Sequence, residues 1–303
     1  SGIWQSVWYE WVPENYVQGC RITPNYDDAS VTIELCSNKT FEDVSLSFEE
    51  GDLSYEVIAR EQDGQVITSI TAKFQDGTFQ RWSPEEPYLY HFTLQAGLDT
   101  IRSYFAMRSF TIEKDGKSIP RFCLNHKPYF LNGVLDQGYW PDGLMTAPCD
   151  EAFVFDIELA KKLGFNMIRK HIKIEPLRWY YHCDRIGMIV WQDMVNGGTT
   201  YNMPWVCYMP TVLPGLGRVI KDNTYHMFSR KSEEGRKLWE QECKDTMDHL
   251  YNVPSISTWV PFNEAWGQFD AARIAQDMKK KDSTRTVDHA SGWFDQKEGD
   301  FNS

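Results

Sequence analysis

The first 110 residues alternate apolar and polar side chains with a period of two. Residues 31–35 (VTIEL) and 55–59 (YEVIA) both follow this pattern, which predicts strands with one buried and one wet face. The Asp-Gly pairs at 63–64 and 76–77 are signals for hairpin turns, because glycine adopts a positive φ at no steric cost. Short strands at this spacing predict an immunoglobulin-like β-sandwich domain over residues 1–110, which we interpret as a scaffold.

A different period begins after residue 110. Residues 111–129 predict a connection of short strands, and beyond them apolar strands alternate with amphipathic helices. The predicted strands share an apolar body and a polar end: 129–136, 164–171, 187–194, 257–264 and 284–293. This rhythm is typical of a parallel (β/α)8 TIM-type barrel, which needs about 250 residues and eight strands. The predicted fold is therefore a β-sandwich followed by an incomplete α/β barrel, whose N-terminal part occupies residues 111–303.

Residues that favour helix ends mark the helices between these strands. Asp150 is the predicted N-cap of the first helix, and Gly164 suits the position of positive φ just after it. Pro176 and Gly187 bracket the second helix in the same way. Residues 195–228 are rich in Gly, Pro, Tyr and Trp without a clear period. A loop this long in a compact domain is usually functional or disordered.

Composition narrows the class of protein. The formal net charge of −12 argues against nucleic acid or an anionic membrane surface as a partner. No apolar run is long enough to span a bilayer. Aromatic residues are plentiful, and the 12 tryptophans suit a core but also the recognition of sugar rings by stacking. The seven scattered cysteines lack zinc-binding spacing, so reduced, mostly buried thiols are expected and the cytoplasm is slightly favoured.

Polar residues stand at the ends of all five predicted strands, where barrel enzymes place their catalytic groups. Each of them alone is better explained by an ordinary salt bridge or hydrogen bond. Together, at one end of successive strands, they favour a functional site. The candidate substrate-binding residues are Asp136, Arg169, His171, Asp193, Asn263, His289 and Trp293. We also expect Trp191 near the same pocket, although it and Trp293 would equally suit a core.

Glu264 is the candidate catalytic residue. It ends the fourth predicted strand among Trp259, Phe262 and Trp266. A carboxyl group among aromatic rings is poorly solvated and keeps its proton near neutrality, as a general acid must. The alternative is structural, because a strand-end glutamate also caps a helix or pairs with an arginine. The residues alone leave these two interpretations about level.

Residues 259–268 (WVPFNEAWGQ) resemble the acid/base motif of glycoside hydrolase family 2, the family of β-galactosidases, β-glucuronidases and β-mannosidases. The resemblance covers nearly the whole chain. Residues 82–90 (WSPEEPYLY) are similar to a signature of the family's sandwich domain, and residues 2–5 (GIWQ) to the strand that begins it. Residues 168–171 (IRKH) and 179–187 (WYYHCDRIG) are similar to the second barrel strand and to the passage that leads into the third.

The resemblance implies a retaining exo-β-glycosidase of the β-galactosidase type, a reaction that needs no cofactor. Glu264 would protonate the leaving oxygen and then activate water, while Asn263 would bond the sugar 2-hydroxyl. Arg169 would orient the nucleophile and His171 would line the sugar site. The family's nucleophile is a glutamate on the seventh strand, which no residue of this chain matches, and we interpret Glu298 as a solvated loop residue. The family's N-terminal sugar-binding domain also has no counterpart here, so the expectation is a fragment that is inactive alone.

A carbohydrate is the expected partner, as the substrate of this enzyme. The alternative belongs to another class: a non-catalytic carbohydrate-binding protein whose aromatic cleft recognises sugar without cleaving it. Five strands of eight also leave open sheet edges, which invite pairing with other chains. A homo-oligomer is one way to cover such edges.

Overall fold

The computed structural model describes residues 5–62, 64–217, 219–290 and 293–301. The chain divides into two compact units. The first comprises the residues up to Ser109 together with the short segments Asp184–Gly187 and Tyr251–Pro254, and the second comprises the remainder. Residues 2–4 of the predicted first sandwich strand lie outside the described residues.

Two antiparallel sheets build the first unit. Its strands are β1 (Gly19–Asn25), β2 (Ser30–Ser37), β3 (Val44–Phe48), β4 (Leu53–Gln62), β5 (Gln65–Phe74), β6 (Tyr90–Ala96) and β7 (Asp99–Phe105). One sheet has the order β1-β2-β5-β4 and the other the order β3-β6-β7. The predicted sandwich is confirmed.

The core of the sandwich is formed by the apolar side chains that alternate with polar ones along its strands. In β2, Val31, Ile33 and Leu35 are fully buried, and they join Phe92 and Leu94 of β6 in one cluster. Because successive side chains of a strand point to opposite faces, each sheet presents an apolar face to the other. Full burial of such a side chain contributes about 1.5–3 kcal/mol.

Two details of the predicted sandwich are corrected by the structure. Residues 55–59 belong to β4, which pairs only with β5 at the edge of its sheet and is exposed on both faces rather than on one. Gly77 has a positive φ of 65°, but β5 and β6 belong to different sheets, so this turn closes no hairpin. The other predicted turn joins β4 to β5, with Gln62 opposite Gln65; its Asp63 lies outside the described residues.

The second unit begins with a small antiparallel sheet. Its strands are β8 (Phe110–Lys114), β9 (Pro120–Leu124) and β10 (Lys127–Pro128), in the order β10-β9-β8. Asn125 and His126 make the turn between β9 and β10, both with positive φ (53° and 62°). The predicted connection of short strands is therefore present.

A parallel sheet forms the centre of the second unit. It consists of β11 (Gly133–Asp136), β12 (Met167–Lys170), β13 (Ile189–Asp193), β14 (Ile256–Val260) and β15 (Thr286–Val287). Within the described residues these strands pair in chain order, with β11 and β15 at the two edges. The predicted incomplete TIM-type barrel is confirmed.

Helices follow the barrel strands as the rhythm of the sequence predicts. They are α1 (Asp150–Lys162), α2 (Leu177–Ile186), a π-helical turn (Pro204–Tyr208), α3 (Met209–Val212), α4 (Pro214–Gly217), α5 (Glu233–Leu250) and α6 (Ala271–Lys281). The long helix α5 buries Trp239, Cys243, Met247 and Leu250. Spacings of three and four residues place these side chains on one face.

The helix ends confirm the predicted glycines and correct one cap. Gly164 and Gly187 both have positive φ (93° and 83°), Gly164 after the C-cap residue of α1 and Gly187 directly after α2. The N-cap of α1 is Cys149, not Asp150, and no side chain caps the helix there. Asp150 is the first helical residue, and its carboxylate is bonded instead to His182 and Arg178, both at 2.8 Å.

Candidate active site

Arg169 joins side chains from three neighbouring parts of the barrel sheet. Its Nε and Nη2 donate to the two carboxylate oxygens of Asp193 at 2.8 and 3.1 Å. Nη2 also donates to Oδ1 of Asn263, at 2.9 Å. Arg169 is the second-last residue of β12, Asp193 ends β13, and Asn263 follows β14. Such two-point pairs fix the orientation of the guanidinium plane and also compensate its charge.

His171 completes this group from the residue after β12. Its Nδ1 lies 3.1 Å from Oδ2 of Asp193. Because a carboxylate only accepts hydrogen bonds, Nδ1 carries the proton and donates it. Asp193 is 1% exposed, so its buried charge is compensated by Arg169 and His171 together. The structure thus brings together four of the predicted site residues.

Glu264 lies in a tight turn that begins four residues after β14. Glu264 and Ala265 both have positive φ (53° and 64°), followed by Gly267 at 80°. A left-handed conformation costs a residue other than glycine about 1–2 kcal/mol. The turn is held by Gly267 N, which donates to Phe228 O at 2.9 Å, and by Gln268 N, which donates to Ala265 O at 3.0 Å.

The expected poor solvation of Glu264 is not met, because Glu264 is exposed. Two of the three aromatic residues near it in sequence, Trp259 and Phe262, point elsewhere. Trp259 is buried, with Nε1 donating to Asp282 at 2.9 Å. Phe262 is also buried and stacks on Trp239, with ring centroids 4.7 Å apart. A strand sends alternate side chains to opposite faces, so neighbours in sequence need not surround the carboxylate.

Asp222 fastens the long segment after β13 to the Glu264 turn. Its Oδ2 accepts from Gln268 Nε2 at 3.0 Å and from Ala271 N, the first residue of α6, at 2.9 Å. Burial raises the pKa of Asp222. Gln268 Nε2 also donates to Phe294 O, at 2.8 Å. Sequence reasoning missed Asp222, because it lies in a segment without periodicity and carries no motif.

Asp136 lies apart from the Arg169 group. It pairs in register with Lys170, so its side chain shares a face of the sheet with Lys170 and not with Arg169. Lys170 Nζ donates to Asp136 Oδ2 at 2.6 Å and to Glu175 Oε1 at 3.0 Å. Lys170 also lies 4.2 Å from the ring centroid of Trp179, a residue of α2. Asp136 therefore joins an ion-pair network on the helix side of the sheet.

The structure places His289 and Trp293 after β15. His289 is 2% exposed, and its Nε2 accepts from Gln296 N at 3.0 Å. Trp293 is half-buried and packs against the cluster that contains Ala265 and Phe294. Ser291 and Gly292, which separate the two predicted site residues, lie outside the described residues.

The structure also places Trp191, which we expect near the pocket, and Glu298, which we interpret as a solvated loop residue. Trp191 is half-buried, and its ring packs on Phe301 with centroids 4.8 Å apart. Glu298 is exposed and accepts from Gln276 Nε2 at 3.2 Å.

None of the helices in the described part of the chain combines the length and apolarity needed to cross a membrane. All seven cysteines are free thiols, but the expected burial is met by only three of them, Cys123, Cys183 and Cys243, and Cys149 is exposed.

Two family models match consecutive parts of the chain. Glycosyl hydrolases family 2 matches residues 15–108, and the TIM barrel domain of the same family matches residues 117–300. The β-galactosidase of Lactococcus lactis is 27% identical over 307 residues, which cover 96% of this chain and 27% of the relative. That of Streptococcus thermophilus is 24% identical and covers 94% of this chain and 27% of the relative. The chain thus spans about a quarter of the length of these curated relatives.

Solved structures with the same fold include two bacterial enzymes. A family 2 β-galacturonidase from Eisenbergiella tayi, bound to galacturonate, has a TM-score of 0.64 at 18% identity and covers 93% of this chain and 47% of its own. A β-D-glucuronidase from Dictyoglomus thermophilum has a TM-score of 0.63 at 16% identity, with 91% and 44% covered. Because the barrel model alone matches more than half of the residues, this chain belongs to glycosyl hydrolases family 2.

Proposed function

We propose that this chain is the part of a retaining exo-β-glycosidase that carries the general acid/base, Glu264. The observation that supports it most is the joint bonding of Arg169 to Asp193 and Asn263 at the carboxyl ends of neighbouring strands. This is where barrel enzymes bind substrate. Glu264 directly follows Asn263 and is exposed, so a bound glycoside can reach it.

Asn263 is the residue that contacts the sugar beside Glu264. Its Oδ1 accepts from Arg169, which directs the amide NH2 to donate to a sugar hydroxyl. Hydrogen bonds to the 2-hydroxyl strengthen in the transition state of glycoside hydrolysis and contribute several kcal/mol. Arg169 fixes the rotamer of Asn263, and it therefore orients a group that touches substrate.

Glu264 transfers the proton in both steps of the reaction. It first protonates the oxygen that joins the sugar to its leaving group, and then accepts a proton from the attacking water. The retaining mechanism needs a second carboxylate about 5–5.5 Å from the first. Asp193 does not suit that role, because both of its oxygens already accept hydrogen bonds from Arg169. The resemblance to family 2 implies that the nucleophile is instead a glutamate on a seventh barrel strand, which no residue of 1–303 matches.

A carbohydrate-binding protein without catalysis is the second candidate. The exposure of Glu264 favours it, because a general acid is usually held in a poorly solvated environment, which the described residues do not provide. The names of the curated relatives make β-galactosides the first substrates to test.

The experiment compares leaving groups on one sugar, in the full-length protein that carries this chain. Glu264→Gln should slow hydrolysis of a methyl β-galactoside far more than that of a 4-nitrophenyl β-galactoside, because only the poor leaving group depends on protonation. Glu298→Gln is the matched control and should leave both rates unchanged. NMR of the first product should show the β-anomer. Equal losses for both glycosides would reject the acid role, and binding without turnover by the wild-type protein would favour the second candidate.

A further inference from the structure

Two aromatic rings, one exposed and one half-buried, meet next to the turn that carries Glu264. Tyr201 and Trp266 have ring centroids 5.5 Å apart and planes inclined at 74°. Tyr201 is 36% exposed and Trp266 is half-buried. By contrast, Trp179, Trp239 and Trp259 are buried among the helices and strands. We call Tyr201 and Trp266 the aromatic corner.

The aromatic corner is held in place by the segment after β13. Asn196 Nδ2 donates to the backbone oxygen of Trp266 at 2.9 Å, and the indole Nε1 donates to Thr199 O at 3.4 Å. Gly197 packs against the indole, since a Cβ there would lie 3.5–3.8 Å from three ring carbons. A ring fixed in this way loses little freedom when a ligand binds.

The corner adjoins the residue that acts on the leaving group. Trp266 N donates to Glu264 O at 2.8 Å, so the indole extends from the same turn as the carboxylate. The pKa of Tyr201 is raised by burial, by Cys207 and then by the charge of Glu264. The sugar contact proposed above comes from a different residue, Asn263, which Arg169 and Asp193 hold in place.

We infer that the aromatic corner binds the leaving group of the substrate and selects leaving groups that have a flat ring face. This inference rests on the proposed acid role of Glu264. A general acid protonates the oxygen that joins sugar and leaving group, so rings beside the acid meet the leaving group. Two rings near a right angle receive a third by stacking on one and meeting the edge of the other. An aryl group and the C–H face of a second sugar both offer such a surface.

The test compares three substrates that share one sugar, in the full-length protein that carries this chain. They are a 4-nitrophenyl glycoside, a disaccharide and a trifluoroethyl glycoside, whose leaving group has no ring. Tyr201→Ala and Trp266→Leu should each lower kcat/KM about tenfold for a ringed leaving group, mainly through KM, as expected when one aromatic contact is lost. The trifluoroethyl glycoside should change less than twofold. Tyr201→Phe keeps the ring and should restore the wild-type values.

Tyr208→Ala provides a matched control, because Tyr208 is an exposed aromatic residue of the same segment and should change none of the rates. A loss confined to the aryl glycoside identifies an aryl leaving group, and one confined to the disaccharide identifies a sugar. Equal losses for ringed and ringless substrates, or no loss, would overturn the inference while leaving the acid role of Glu264 intact. The acid role fails separately, if Glu264→Gln affects good and poor leaving groups alike. Binding of a phenyl thioglycoside, measured by calorimetry, checks each variant without turnover.

Discussion

Arg169 and Asp193 are joined at two points, Nε to Oδ1 at 2.8 Å and Nη2 to Oδ2 at 3.1 Å. This pair leaves the plane of the guanidinium no freedom to rotate. It also sets the position of Asn263, which accepts from the same Nη2. A charge alone would not do this, because an ammonium group lacks the planar fork.

Arg169→Lys should therefore lower kcat/KM even though the positive charge is retained. Lysine cannot bond both Asp193 oxygens and Asn263 in one geometry, and a displacement of about 1 Å near the chemistry costs about 100-fold in rate. Steady-state kinetics on a β-galactoside measure the effect. Arg273→Lys is the control, because Arg273 forms exposed pairs with Glu240 and Asp277, and it should change kcat/KM less than twofold. Similar rates for both variants would contradict a positioning role for Arg169.

Asp282 and Arg285 form a buried ion pair next to β14, the strand that precedes Glu264. Their closest atoms lie 2.7 Å apart, and the side chains are 0% and 1% exposed. Asp282→Asn leaves Arg285 buried without a countercharge, which should lower the free energy of unfolding by about 3–5 kcal/mol. Urea denaturation at pH 7 measures it. Glu233→Gln breaks the exposed pair with Lys237 and should cost at most about 0.5 kcal/mol; comparable losses in the two variants would refute this prediction.

The same pair predicts how stability depends on pH. Burial alone would raise the pKa of Asp282, but Arg285 and the hydrogen bonds from Trp259 and Thr284 outweigh it and hold the pKa well below its ordinary 3.8. A depressed pKa stabilises the folded state above pH 3.8, and this contribution is lost as the pH falls further through the folded-state value. The difference in unfolding free energy between wild type and Asp282→Asn should therefore be constant from pH 5 to 7 and shrink below about pH 4. A difference in unfolding free energy that grows on acidification would contradict this prediction, because it would mean that folding does not lower the pKa of Asp282.

Residues 1–303 purified alone should self-associate. The edge strand β11 exposes Val134 and Leu135, and the following helix α1 exposes Phe155, with Leu163 exposed at its C-cap. Unpaired backbone groups at an apolar edge invite pairing with other chains. Light scattering after size-exclusion chromatography should detect oligomers or aggregates, and Leu135→Lys should reduce them because a charge on an edge strand opposes pairing. A monodisperse monomer for the unchanged chain would contradict this expectation.

The order of the elements was predictable because it depends on periodicity along the chain. The alternation in β2 marks a half-buried strand, and Gly164 and Gly187 mark helix ends through their positive φ. The exposure of β4 was not predictable in this way. Its residues alternate like those of β2, but only the order of strands in the sheet reveals that β4 lies at an edge.

The candidate site was predictable only in part. Arg169, His171, Asp193 and Asn263 come together because each stands at or just after a strand end. Asp136 also ends a strand, but the register pairs it with Lys170 on the opposite face. A shift of one residue reverses the face of a side chain, and sequence patterns do not fix a strand end to one residue.

The fastening of the segment 195–232 to the Glu264 turn has a consequence for evolution. On the roles proposed above, this segment supplies Tyr201 to the leaving group, whereas the strand ends supply the sugar contacts. Asp222 and Asn196 are among the residues that hold the segment to this turn through hydrogen bonds. Related proteins that keep Asp222 and Asn196 can differ in the sequence between these two residues without losing the hydrogen bonds that hold the segment. Preference for the leaving group then drifts independently of preference for the sugar, and relatives that share one sugar can serve different natural glycosides.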